Sequence, residues 1–351
     1  VWKKMTKKSY RSAKQPTLTV STSRIFHQCI TDIGFTLISF TENDAPLLII
    51  KPFPPPLPPS ADMVSAFRLP STIHALRHTL SNHPAVVSFR WSPTHSYLAT
   101  WTFLFAAVAI YLLSGVILHT ISRLVRRFNH GGRLPLRPLH VTHDLLIAVV
   151  SAVIFLGMLL SAVEEINETR WLWRRTRTSN SVHWLLCFPL GTRPSGRVFF
   201  WSYAYYLSRF LHLLRTYFDI ASHSSLTFFA LANQSIPLVS SFLWLEFSQS
   251  FQVVGVLLTT SLHAVVYGYQ FWTAVGLPRA GFPFVVNCQV VVAVCNLLCH
   301  LGVLVFHFSK GGCNGIVAWS INSFLNGVVL ICTLKFYVGK MHRTDDGRKE
   351  D

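Results

Sequence analysis

A chain of 351 residues with only 13% charged and 51% hydrophobic residues falls well short of the roughly one-quarter charge content of soluble domains, which excludes an ordinary water-soluble globule. The net charge of +17 would suit nucleic acid or anionic lipid. No zinc-finger, helix-turn-helix or RNA-binding signature accompanies it, so nucleic acid is not an expected partner and the arginines read as residues flanking membrane spans.

In chain order, residues 1–62 begin at Val1, show no sustained period and close on KPFPPPLPPSADM, where proline cannot continue a helix. This segment reads as a leader, either upstream sequence ahead of a start at Met63 or a disordered basic tail; it lacks the pattern of a signal peptide. Residues 63–338 read as a membrane domain and 339–351 as a cytosolic tail. Leu98–Leu118 and Leu145–Val163 are apolar on all sides and near the ~20 residues that cross a bilayer core. Val198–Ile220, Leu226–Phe247, Phe251–Trp272, Phe284–Phe306 and Ile316–Val338 follow, with polar interruptions. The expected fold class is therefore all-α: a polytopic membrane protein of about seven transmembrane helices packed around an enclosed polar site.

The odd count puts the two ends on opposite sides. Loop Ser122–His140 carries Arg123, Arg126, Arg127, Arg133 and Arg137 without an acid, which favours a cytosolic loop and a lumenal N-terminal side. The loop Glu164–Arg197 holds a glycosylation acceptor, NET at Asn167, and the chain ends RKED, similar to an endoplasmic-reticulum retrieval signal. Both fit a multi-pass protein of that membrane. Cys187 and Cys313 fall in loops on one side, which leaves a disulfide open; Cys288, Cys295, Cys299 and Cys332 sit in apolar runs and read as small hydrophobes.

The later spans carry polar stripes. Ser202, Arg209, His212 and Thr216 lie within about 80° of one another at ~100° per residue. Gln252, Thr259, His263, Tyr267 and Gln270 form a second stripe, and Gln289, Asn296, His300 and His307 a third. Asn322 and Asn326 align with Thr333. A charge at mid-span costs about 2.5–3.5 kcal/mol, so such stripes should face an enclosed site. A lone Asn, Gln or His would be no more than interhelical glue, and Arg215 and His307 lie near span ends, where side chains reach the interface. No metal is expected: no acid stands with these histidines at depth, and none of the spans that hold them carries H-x₃₋₄-H.

The segments CFPLGTRPSGRVFFWSYAYYLSRFLHLLRTYF, LTFFALANQSIPLVSSFLWLEFSQS and TTSLHAVVYGYQFW resemble the ELO family of very-long-chain fatty acid elongases, most of all its divergent plant branch of elongation-of-fatty-acids protein 3-like members. The resemblance covers about Met63 to Tyr337. It implies a condensing enzyme of the endoplasmic reticulum membrane that joins malonyl-CoA to an acyl-CoA, releases CO₂ and CoA, and gives a 3-oxoacyl-CoA. It implies no cofactor beyond these substrates, and as partners the bilayer and other enzymes of the elongation cycle.

The family's K-x-x-E-x-x-D-T falls on Arg209, His212, Arg215 and Thr216, with the threonine kept. Its H-x-x-H-H box falls on Ala230, Asn233 and Gln234, so all three histidines are replaced. The later N-x-x-x-H-x-x-x-Y-x-Y pattern keeps His263, Tyr267 and Tyr269, and T-x-x-Q-x-x-Q keeps Gln289. Asn and Gln can hydrogen-bond an oxyanion but cannot exchange a proton near neutral pH. On this reading His212 and His263 are the catalytic residues; Arg209, Arg215, Thr216, Asn233, Gln234, Tyr267, Tyr269 and Gln289 bind substrate. The alternative is a non-catalytic member of the fold that binds acyl-CoA or scaffolds the elongation complex. A transporter would want inverted repeats and broken half-helices, of which Pro237 is the sole hint.

Overall fold

The computed structural model describes residues 74–94, 96–128, 137–175, 181–223, 228–276, 282–309 and 311–347, all within one compact unit, Pro59–Asp351. The leader read at 1–62 and the RKED terminus lie outside the described residues. Among the described residues the secondary structure is helical, with one isolated bridge between Arg90 and Ser195. A short π-helical turn, His78–Asn82, precedes α1 (Pro84–Val87), and then come α2 (Trp101–Phe128), α3 (Arg137–Arg175), α4 (Ser181–Leu186), α5 (Arg197–His223), α6 (Phe228–Glu246), α7 (Gln252–Ala274), α8 (Phe282–Ser309) and α9 (Ile316–Gly347).

Four helices are long and apolar enough to cross a membrane among the described residues: Trp101–Val125, Arg137–Glu168, Gln252–Ala274 and Asn287–Ser309. Aliphatic residues such as Leu113, Ile117, Val294 and Val305 stand exposed on them, as lipid-facing side chains do. α7 packs most extensively along α3, and α5 packs against α2, α3 and α6. The core is aromatic. Trp91 meets the rings of Tyr203, Tyr206 and Phe242 edge-on, and Tyr205 stacks on Trp244 at 5.7 Å.

The helices overrun the spans read from hydropathy. α3 continues to Arg175, so Asn167 lies on a helix and not in a loop. The reason is electrostatic. Glu168 takes Arg197 in a two-pronged pair at 2.6 and 2.7 Å, Glu164 pairs with Arg77, and Arg197 Nε donates to the Ser81 carbonyl at 3.0 Å. The acids after the apolar run thus continue the helix by finding partners. α9 likewise runs past Val338 to Gly347.

At the α4 end of α5 three loops are tied together. Cys187 and Cys313 form a disulfide. The Asn314 side chain accepts from Gly191 N–H at 3.2 Å and donates to the Phe247 and Ser248 carbonyls at 3.1 and 3.0 Å. Its backbone carbonyl accepts from Ser250 N–H at 3.1 Å. Gly315 sits at φ 67, and a Cβ there would lie 2.8 Å from the Phe247 carbonyl oxygen. Gly157 on α3 lets the Trp201 indole in so closely that a Cβ would fall 2.2 Å from it, and that indole is held by a 2.9 Å bond to the Leu80 carbonyl.

Gly315→Ala and Gly157→Ala should each destabilise the detergent-extracted protein by about 1–3 kcal/mol, the usual range for overpacking. Gly268→Ala on α7, where a Cβ would meet nothing within 4 Å, should be neutral or stabilising. Unfolding temperatures of the three variants check this; equal loss at all three would show that the close approaches do not matter.

Candidate functional site

Arg209 is 3% exposed and, among the described residues, has no acidic partner. Its guanidinium is met through Nη2 and its flat face, while Nε has no hydrogen-bond partner among the described residues. Nη2 lies 2.9 Å from His212 Nε2, one turn on along α5, and 3.2 Å from His263 Nδ1 on α7. The cation also sits 4.3 Å above the Tyr205 ring, one turn back on α5. A guanidinium has donors and no acceptor, so both imidazoles must offer it a lone pair. His212 then carries its proton on Nδ1 and directs it at the Tyr267 hydroxyl oxygen, 3.3 Å away. His263 carries its proton on Nε2. The two imidazole rings lie 4.6 Å apart.

Beside this cluster Arg215 pairs with Asp144 of α3, reaches Asp219 at 3.9 Å, and lies 4.9 Å over the outer face of the Tyr267 ring. Asp144 is the residue that sequence reasoning missed. Its signal is a lone acid at the head of the acid-free run Leu145–Val163. Tyr205 was missed as well, and an aromatic four residues before a buried arginine on one helix is the pattern that would have found it.

A cavity of about 560 Å³ lies between α5, α6, α7, α8 and α9. Arg209, Arg215, Gln234, His263, Tyr267 and Gln289 line it. His212 does not line it and stands behind Arg209. Thr216 also lies off the wall: its Oγ accepts from the Tyr111 hydroxyl of α2 at 2.8 Å. Tyr269 is on α7, half-buried and not on the wall. The side chain of Asn233 lies outside the described residues. Thr259, Asn296, His300, Ser323 and Asn326 add further polar surface, and Leu262, Val266, Val292 and Leu297 apolar surface.

The model of the family described as ELO, GNS1/SUR4, matches residues 96–349. The chain belongs to the ELO family. "Fatty acid elongase 3-like" of Arabidopsis thaliana is 52% identical over 77% of this chain and 93% of that protein. "Fatty acid elongase A" and "Fatty acid elongase sre1" of Dictyostelium discoideum are 23% and 22% identical, over 54% and 58% of this chain and 65% and 70% of their own lengths. No solved structure matches the chain. The resemblance read from the segments around Arg209, Asn233 and His263 is thus borne out at the level of the family. Of the positions where the ELO histidine box falls, Gln234 reaches the cavity wall.

Removing one member of a buried ion pair costs about 3–5 kcal/mol when the other is left alone. Arg215→Met should approach the lower end of that range, because it strands Asp144 in the core. Asp144→Asn should cost less, since Arg215 keeps Asp219 and the Tyr267 ring. The double variant should recover part of the loss. A thermal-unfolding cycle measures the coupling; strictly additive losses would show that the pair contributes nothing.

Proposed function

We propose that the chain is a multi-pass protein of the endoplasmic reticulum membrane that elongates fatty acyl groups by condensing an acyl-CoA with malonyl-CoA. On this reading α2, α3 and α5 to α9 are its seven spans. The observation that carries it is the Arg209 guanidinium, shared by two imidazoles at the wall of a half-apolar cavity in an ELO-family chain.

The chemistry asks for three things. The malonyl C–COO⁻ bond must break, so that CO₂ leaves and its electron pair forms the new C–C bond. The charge that builds on the thioester oxygens must be stabilised. The departing CoA thiolate must receive a proton. Arg209 suits the malonyl carboxylate and the oxyanion that follows, since guanidinium pairs strongly with both. With Nδ1 accepting from Arg209, His263 is a neutral imidazole that presents Nε2–H as a hydrogen-bond donor to the developing anion, and the proton taken by the departing thiolate comes from water. His212 has both nitrogens committed, and its part is to hold Arg209 and Tyr267 in register with the reacting atoms. Arg215, Gln234 and Gln289 stand toward the cavity end away from the disulfide, where they would meet the CoA side of the substrates.

Ala230, Asn233 and Gln234 in place of the histidine box favour a second reading, a non-catalytic ELO member that binds acyl-CoA or scaffolds the elongation complex. Expression in an elongase-deficient cell, with fatty acid chain lengths as readout, separates the two. The condensing reading expects longer chains. His263→Ala should lower product formation at least about a hundredfold, as loss of a hydrogen-bond donor to a developing anion does. Arg209→Ala should raise KM for malonyl-CoA or acyl-CoA. Full activity after His263→Ala would reject this assignment of the hydrogen-bond donor. Acyl-CoA binding without product in the unsubstituted protein would favour the scaffold.

The basic, acid-free stretch Ser122–His140, which covers the end of α2 and the start of α3, supports a cytosolic α2–α3 connection, and with seven spans a cytosolic C-terminus. A C-terminal tag in intact microsomes should be cut by added protease, and a tag protected until detergent is added would invert the orientation.

A further inference from the structure

We propose that the cavity opens sideways to the bilayer between α8 and α9, and that the tail of a long acyl thioester leaves through this gap, so that its distal hydrocarbon lies in lipid and the cavity does not bound its length. This rests on the reading of the cavity as the acyl site and names the class of acyl group it takes.

The depth of the cavity demands such an exit. α7 begins, α8 ends and α9 begins at the end tied by the disulfide, and Thr259, His300 and Ser323 are their wall residues nearest that end. There α8 is pinned to α9, with His300 Nδ1 2.8 Å from Ser323 Oγ. His263 stands only one helical turn from Thr259, about 5.4 Å. A thioester reacting at His263 thus has room for a few carbons before the pinned end. Its CoA side takes up the opposite direction, toward Arg215 and Gln289. A longer tail has to turn aside.

The gap lies where two neighbouring helices fail to pack. α8 packs on α7 and α4, and α9 packs on α6. Away from the pinned end α8 and α9 do not pack along each other among the described residues, although both line the cavity. At ~100° per residue, Gln289, Asn296 and His300 mark the cavity face of α8, and the exposed Val290, Val294 and Leu301 mark its lipid face. Ala293 and Leu297 fall between the two faces. On α9 Ser323 and Leu330 mark the cavity face, Phe324 and Val328 the lipid face, and Gly327 falls between them. Both lips are therefore small or apolar, while the carboxamides stand inside. Leu297 is on the cavity wall and yet 50% exposed. Gly327 is on the wall as well, and a Cβ there would meet nothing within 4 Å. Each lies one turn from the His300–Ser323 link, just as His263 lies one turn from Thr259, so the gap opens at the depth of the reacting group. Apolar lips let hydrocarbon pass into lipid without stranding a polar group.

The test is equilibrium binding of saturated acyl-CoA, from hexanoyl to hexacosanoyl, to the full chain in lipid nanodiscs, with empty nanodiscs as the blank. Affinity should stay within about threefold from palmitoyl to hexacosanoyl, because the added methylenes stay in lipid throughout. Gly327→Phe fills the open space at one lip and should weaken stearoyl-CoA relative to hexanoyl-CoA at least about tenfold, the cost of displacing about two methylenes. Val294→Phe on the lipid face should leave that ratio alone. A stearoyl-CoA with a photoactivated diazirine at its last carbon should label the outer faces of α8 and α9 in the unsubstituted protein, in the part of the signal that excess stearoyl-CoA removes. This measurement decides the matter if Gly327→Phe does not fold. A length beyond which affinity falls at least tenfold overturns the gap. So does an unchanged ratio in folded Gly327→Phe, or a label confined to the cavity wall. Condensation with malonyl-CoA is followed in parallel. Length-independent binding without product supports the gap and counts against the condensing reading; product with a sharp length limit does the reverse. Binding of no acyl-CoA overturns both.

Discussion

A cation buried without a carboxylate is the constraint that organises this molecule. Arg209 lies in the middle of α5, where an uncompensated charge costs several kcal/mol on any scale. Its solvation comes from lone pairs of two imidazoles and from the face of an aromatic ring. Each of these has to be brought to it. Tyr205 and His212 arrive through the pitch of α5 itself. His263 arrives only if α7 lies alongside α5, and α7 is held there by its long contact with α3. The fold around the cavity can thus be read as the scaffold that holds one guanidinium among neutral partners.

Neutral partners leave such a cation more available than a carboxylate would. Arg215 shows the contrast: it is close to Arg209 in sequence and has Asp144 and Asp219 to neutralise it. Arg209 keeps its positive field at the cavity wall, and an incoming anion meets a charge that no carboxylate among the described residues has already cancelled. The two arginines therefore differ in character although hydropathy treats them alike.

Much of this was legible in the sequence, and the reason is periodicity. Residues spaced by three, four and seven must share a helix face, so Thr259, His263, Tyr267 and Gln270 could be grouped before any geometry was known. The ring stack, the tautomers and the Asp144–Arg215 pair could not be read in this way. They depend on which helices become neighbours, and periodicity within one helix carries no information about the next. Helix ends were the other blind spot. Hydropathy stops at Val163 because the residues turn polar, whereas α3 runs on to Arg175, and Glu164 and Glu168 find arginine partners beyond the apolar run. Asn167 was placed in a loop for the same reason. Thr216 was grouped with the substrate-binding residues because it shares the Arg209 stripe, but that face of α5 turns toward α2 near its end, and Tyr111 takes the hydroxyl.

The knot around Asn314 has a consequence for how this chain can vary. One carboxamide and its own backbone carbonyl connect the loops before α5, between α6 and α7, and between α8 and α9, and a covalent sulfur bridge doubles the link between the first and the last. Surface loops ordinarily drift in length independently of each other. Here a residue inserted into any one of the three would have to be matched by adjustments in both of the others, so the three should be inherited as a single unit of fixed length.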